Sequence, residues 1–128
     1  MLIGLGHDLQ AVAELIGKDV VLAEGGCFTT AEAERIAHSR SPAETAAGLF
    51  AAKEAFLKAV PSIHDGFWTD IEVTHSAAGA PLLVLHGAYR ELFERRRWKA
   101  LLSLSHSGGF ASSIVVVFAD APVAAAET

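Results

Sequence analysis

Leu49-Phe50-Ala51-Ala52-Lys53-Glu54-Ala55-Phe56-Leu57-Lys58-Ala59 places a carboxylate and an ammonium four residues apart in a segment otherwise built of alanine and large apolar side chains. The stretch lies inside a longer predicted helix. Upstream, Ser41-Pro42-Ala43-Glu44 supplies an N-cap serine, a proline suited to the first turn and a glutamate able to close a capping box. Downstream, Pro61 stops the helix after Val60. Ala43, Ala46, Ala47, Gly48, Ala51, Ala52 and Ala55 are small enough to let another element pack close. Leu49, Ala52, Phe56 and Val60 trace one apolar stripe, which leaves Glu54 and Lys58 on a different face, free to line a cleft. Taken alone, Glu54 and Lys58 read as a solvated pair worth a few tenths of a kcal/mol. Two other segments raise their interest: Asp8, after an apolar glycine-bearing run, and Ser105-His106, at the end of another apolar run.

Working outward, Met1 to Gly6 predicts a short strand that delivers His7 and Asp8 to its end. Leu9 to Leu22 carries a weak helical pattern (Leu9, Val12, Leu15, Ile16), broken at Gly25-Gly26. Asp8 could then cap that helix, a role compatible with holding a metal because a carboxylate has several acceptor sites. Thr29-Thr30-Ala31-Glu32 has the form of a capping box ahead of a short helix through Ile36. After Pro61 the period changes to two. Asp70 to Thr74 alternates like a strand, Ala77 to Ala80 reads as a turn, and Pro81 to His86 as the returning strand. Gly87 to Arg97 is helical, and Ala100 to Ser105 and Ala111 to Ala119 are strands joined through Ser107-Gly108-Gly109. The pattern predicts one α+β domain over residues 1–119, a mostly antiparallel sheet packed on a long central helix, with 120–128 as a flexible tail.

The 128 residues suffice for one core, and 52% of them are apolar. A formal charge of −5 argues against a nucleic-acid partner. The basic run Arg95-Arg96-Arg97 with Lys99 falls at a helix end, where it complements the dipole or else contacts an acceptor protein or a phosphate. One cysteine, Cys27, allows neither an intrachain disulfide nor a multi-cysteine zinc site. The N-terminus lacks a basic n-region, and no apolar run approaches the ~20 residues needed to span a bilayer. The expected setting is soluble and cytoplasmic, with no membrane partner.

Gly4-Leu5-Gly6-His7-Asp8, Phe50 to Ala59, Asp70-Ile71-Glu72-Val73, Gly79-Ala80-Pro81 and Ser103-Leu104-Ser105-His106, in that order, resemble the holo-[acyl-carrier-protein] synthases, the small trimeric type of 4′-phosphopantetheinyl transferase. The resemblance runs to Phe118 and implies that fold. It also implies transfer of phosphopantetheine from coenzyme A to a serine of an apo acyl carrier protein or domain, for fatty acid or polyketide synthesis, with release of adenosine 3′,5′-bisphosphate. By the same resemblance the active sites lie at the junctions of a homotrimer. Asp8 and Glu54 would hold Mg²⁺, which takes oxygen ligands and commonly only one or two carboxylates. Lys58 would hold or protonate the leaving phosphate, and Glu54, directly or through a metal-bound water, would accept the serine proton. Lys53, Gly79, Pro81, Ser105 and His106 would contact the coenzyme.

Three departures stand out. Leu49 occupies a position where the family commonly carries arginine. Pro61 to Asp65 replaces a glycine-rich stretch. Glu14 stands where the family usually has an arginine that meets an acidic carrier protein, and the nearest basic residue is Lys18. The alternative function is a non-catalytic module of the same fold that binds coenzyme A or a carrier protein. A His/carboxylate metal site built on His7 and Asp8 with His75 or His106, as in a hydrolase, lacks ligand spacing. Ser105 and His106, as strand neighbours, point to opposite faces and make no nucleophile–base pair.

Overall fold

The computed structural model describes residues 1–18, 26–61 and 65–120. The predicted helix end at Leu22 to Gly25, the Ser62 to His64 stretch and the tail beyond Asp120 lie outside them. Its strands are β1 (Leu2–Ala11), β2 (Ile71–His75), β3 (Pro81–Leu85), β4 (Trp98–Ser107) and β5 (Phe110–Ala119). The helices are α1 (Thr30–Ala37), α2 (Pro42–Ala59) and α3 (Gly87–Arg96). The strands form a three-stranded antiparallel sheet ordered β1-β5-β4 and a separate β2-β3 hairpin. The α+β expectation holds. No helix among the described residues is long and apolar enough to cross a membrane.

The helix predicted from Leu9 does not form. Leu9, Gln10 and Ala11 stay paired with Ser112, Ala111 and Phe110, and the Val12 N–H donates to the Gly109 carbonyl at 2.9 Å. The β5 ladder thus satisfies the backbone groups a helix would have used, leaving a single 3₁₀ turn at Val12–Leu15. Asp8 is consequently a mid-strand residue and not a cap.

Thr29 and Glu32 make the predicted box in both directions. Ser41 sits at the N-cap of α2 with Pro42 behind it, but its side chain caps nothing. Its own N–H goes to Ser39 Oγ at 3.1 Å instead of to Glu44, so the second box is absent. The α2 helix is buried on more than one stripe, with Ala46, Ala47, Ala51, Ala52, Ala55 and Phe56 all inaccessible. It lies between the sheet on one side and α1 with β2 on the other. Phe56 anchors one end, edge-on to Tyr89 (5.3 Å between centroids) and stacked with Phe93 (5.5 Å).

Two glycines set how closely α2 meets β1. A Cβ on Gly4 would stand 1.7 Å from the Ala59 carbonyl oxygen, and one on Gly6 would stand 1.9 Å from that of Ala55. Contact at backbone distance explains both residues and fixes the register of helix on strand. Gly6→Ala is expected to cost about 3 kcal/mol or more, because rigid backbone must move. Urea unfolding measures this; a loss under about 0.5 kcal/mol would show that the two elements separate easily.

Candidate functional site

On β1 the even-numbered residues from Gly4 onward face α2. Gly6 lies against Ala55, so Asp8 falls two residues further along the same face, beside the next helical turn. There it meets the outward edge of α2. Lys58 Nζ lies 3.0 Å from Asp8 Oδ1 and donates to the His7 carbonyl at 3.1 Å. Glu54, one turn before Lys58, completes the group. Burial raises its pKa first, the neighbouring Asp8 carboxylate raises it further, and Lys58 opposes them. Two carboxylates within electrostatic reach, with one half-exposed ammonium paired to Asp8, form an oxygen-rich site short of positive charge. The Lys58 side chain is 54% exposed, so its pair with Asp8 contributes at most ~1 kcal/mol and is readily exchanged for another anion.

This donor set fits Mg²⁺. It offers hard oxygen ligands, two carboxylates and no sulfur, with room for phosphate and water oxygens on the exposed side. Cys27 does not belong to it: burial pushes its thiol up to about 11.

Lys53 has to be reassigned. The sequence places it as a phosphate contact, whereas its side chain is fully buried 2.8 Å from Glu32 Oε1. It also donates to the Trp68 and Ile71 carbonyls. Glu32 in turn accepts from the Thr29 and Val73 N–H groups at 2.9 and 2.8 Å. All the strong donors and acceptors of this pair are used inside the core, so Lys53 holds α2 to α1 and β2 and faces no ligand. Sequence reasoning missed Glu32 as its partner.

The remaining predicted residues lie elsewhere. His106 is on the helix-facing side of β4, the far edge of the sheet from β1, and a Cβ on Gly48 would stand 2.9 Å from its Nε2. Gly48 is six positions before Glu54 on α2. Ser105 points to the other face of the sheet, in register with Ser112. Gly79 (φ +89°) turns the β2-β3 hairpin and Pro81 opens β3, which packs against β4. One chain therefore gathers Asp8, Glu54 and Lys58 at the β1 edge and keeps His106, Gly79 and Pro81 toward the β4 edge. His7, His75 and His106 are also scattered. His7 bonds Ser112 Oγ at 3.0 Å on the outer face, His75 is in the hairpin, and His106 faces inward.

Comparison with known proteins bears on this geometry. Residues 4–116 match the 4′-phosphopantetheinyl transferase superfamily. The chain is 36% identical over 123 residues to a holo-[acyl-carrier-protein] synthase of Trichlorobacter lovleyi, spanning 91% of this chain and 98% of that one. It is 39% identical over 121 residues to that of Syntrophotalea carbinolica, spanning 88% and 93%. Among solved structures, the holo-[acyl-carrier-protein] synthase of Neisseria meningitidis superposes with a TM-score of 0.81 at 27% identity, covering 92% of this chain and 99% of that one. The enzyme of Bacillus anthracis, solved in complex with CoA (3′,5′-ADP), gives 0.76 at 29% identity, covering 94% and 99%.

Proposed function

The chain belongs to the 4′-phosphopantetheinyl transferase superfamily, with the holo-[acyl-carrier-protein] synthases, and on that premise we propose that it moves phosphopantetheine from coenzyme A to a serine of an apo carrier protein. The observation that carries this reading is the Asp8, Glu54 and Lys58 cluster at the open edge of α2. Mg²⁺ held by Asp8 and Glu54 would neutralise the diphosphate as its P–O bond breaks. Lys58 leaves Asp8 for the departing phosphate of adenosine 3′,5′-bisphosphate and supplies charge or a proton there. Glu54 takes the proton of the serine hydroxyl as that oxygen bonds to phosphorus.

The active assembly is a homotrimer in which a neighbouring chain supplies His106, Gly79 and Pro81 to the coenzyme. Two features support this. The outer face of the three-stranded sheet leaves Leu5, Leu9 and Leu101 more than half exposed, an apolar surface a second copy would cover. The separation of the two residue groups within one chain is the other. If the sites are shared, mixing Glu54→Ala with His106→Ala subunits restores transfer, although each variant is inactive alone. No recovery in the mixture would confine the site to one subunit.

Glu14, exposed on the 3₁₀ turn, repels an acidic docking helix. The acceptor we assign is a carrier with a near-neutral docking surface, such as a carrier domain of specialised synthesis. Intact-mass analysis of acidic and near-neutral apo carriers with coenzyme A and Mg²⁺ tests both levels. A gain of one phosphopantetheine, lost with chelator, establishes the transfer, and preference for the acidic carrier would sink the acceptor assignment. Coenzyme A binding without any mass gain would instead identify a non-catalytic module.

A further inference from the structure

The inner face of β5 reads Ala111, Ser113, Val115, Val117, all packed beneath α2. Ser113 is the outlier. It is 1% exposed, and among the described residues its Oγ is the buried side-chain polar atom with no hydrogen-bond partner. Leaving a buried hydroxyl unsatisfied costs about 1–3 kcal/mol, so a residue kept in that state needs a reason. Its neighbour Ser112 points the other way and is used by His7.

The register supplies a partner. Ser113 stands directly opposite Asp8 in the β1-β5 ladder, on the same face of the sheet. Directly opposed residues have Cβ atoms roughly 4.5–5.5 Å apart, within which a serine hydroxyl reaches a carboxylate by rotation about one bond. In the structure Asp8 has an oxygen turned to Lys58. A metal requires the carboxylate to be held in one orientation, and that is commonly done by a hydrogen-bond donor behind the ligand.

We infer that Ser113 is a positioning residue for the metal site, donating its hydroxyl proton to the Asp8 oxygen that the metal does not use. The inference rests on the reading of Asp8 and Glu54 as metal ligands. When Lys58 leaves Asp8 for a phosphate, Ser113 keeps the carboxylate from swinging after it. The buried hydroxyl, unpartnered while Lys58 holds Asp8, is then satisfied.

The test is Mn²⁺ titration followed by electron paramagnetic resonance, on the full chain with coenzyme A and no carrier, alongside metal-free thermal melts. Ser113→Ala is expected to bind Mn²⁺ about tenfold more weakly, with a melting temperature equal to or above that of the unaltered chain. Ser113→Cys fills the same space with a far weaker donor and is expected to lose nearly as much affinity. Unchanged Mn²⁺ affinity in Ser113→Ala, full recovery by cysteine, or a melting temperature that falls together with affinity would each reduce Ser113 to a packing residue. If the unaltered chain binds no Mn²⁺, or if Asp8→Asn binds it as well as the unaltered chain does, the metal reading itself fails and takes this inference with it.

Discussion

Glu54→Gln lowers the transfer rate by on the order of 10³-fold while making the metal-free protein more stable at neutral pH. Both effects have one origin. Burial and the adjacent Asp8 raise the Glu54 pKa above the usual carboxylate range, against the pull of Lys58. The folded state therefore holds the Glu54 proton more tightly than the unfolded chain does. Stability from this group is full below the ordinary carboxylate pKa and is lost as pH rises through the raised one. At pH 7 the wild-type protein keeps a poorly solvated carboxylate beside another, and glutamine removes that strain for a gain of about 1 kcal/mol. Added Mg²⁺ should stabilise the wild-type protein by mass action and leave the Glu54→Gln variant nearly unmoved. Thermal melts across pH, with chelator and with Mg²⁺, check the stability arm, and a carrier mass-shift assay checks the rate. A glutamine variant that keeps a tenth of the activity, or that is less stable without metal, would remove Glu54 from the centre of the site.

Much of this arrangement was legible in the sequence because local chemistry and tertiary structure agreed there. The Thr29–Glu32 box, the stop at Pro61 and the period-two strands on either side of the Gly79 turn depend on near neighbours, and they formed where expected. Gly4 and Gly6 lie against helix carbonyls, and their spacing of two in an apolar run is the trace of that contact in the sequence. The misreadings came where long-range pairing won. Leu9 and Gln10 have a weak helical pattern, but Ser112 and Ala111, about a hundred residues away, hold them extended. Ser41 looked like one half of a box until Ser39 took its N–H. Lys53 lies furthest from its expected place, buried against Glu32, and the sequence carries a signal of it. It follows Leu49 by four positions and precedes Phe56 by three, so it shares their buried stripe. A lysine on an apolar stripe demands a buried carboxylate, and no spacing rule names Glu32, twenty-one positions upstream in another helix. Ser113 was invisible for a similar reason: a serine among valines in a strand acquires meaning only once the register sets it against Asp8.

The reassignment of Lys53 carries the second large effect. Lys53→Met leaves Glu32 charged and buried with two backbone donors but without its counter-ion, and removes the donor to the Trp68 and Ile71 carbonyls. Breaking one side of such a pair costs about 3–5 kcal/mol, a fall in melting temperature on the order of 10 °C or more for a chain this long. The double variant Lys53→Met with Glu32→Gln should recover much of that loss. The uncharged amide can still accept from the Thr29 or Val73 N–H, and no charge is left in the core. Assayed well below its melting point, Lys53→Met should keep the KM for coenzyme A within about twofold, because a change confined to the core removes no phosphate contact. A phosphate-binding lysine would behave in the opposite way. Its loss would raise KM tenfold or more, leave the melting temperature nearly unchanged, and gain nothing from Glu32→Gln. The two readings thus separate on the same three proteins by calorimetry and steady-state kinetics. The outcome decides whether the positive charge that coenzyme A meets comes from Lys58 on this face of α2, or also from the residue that precedes Glu54.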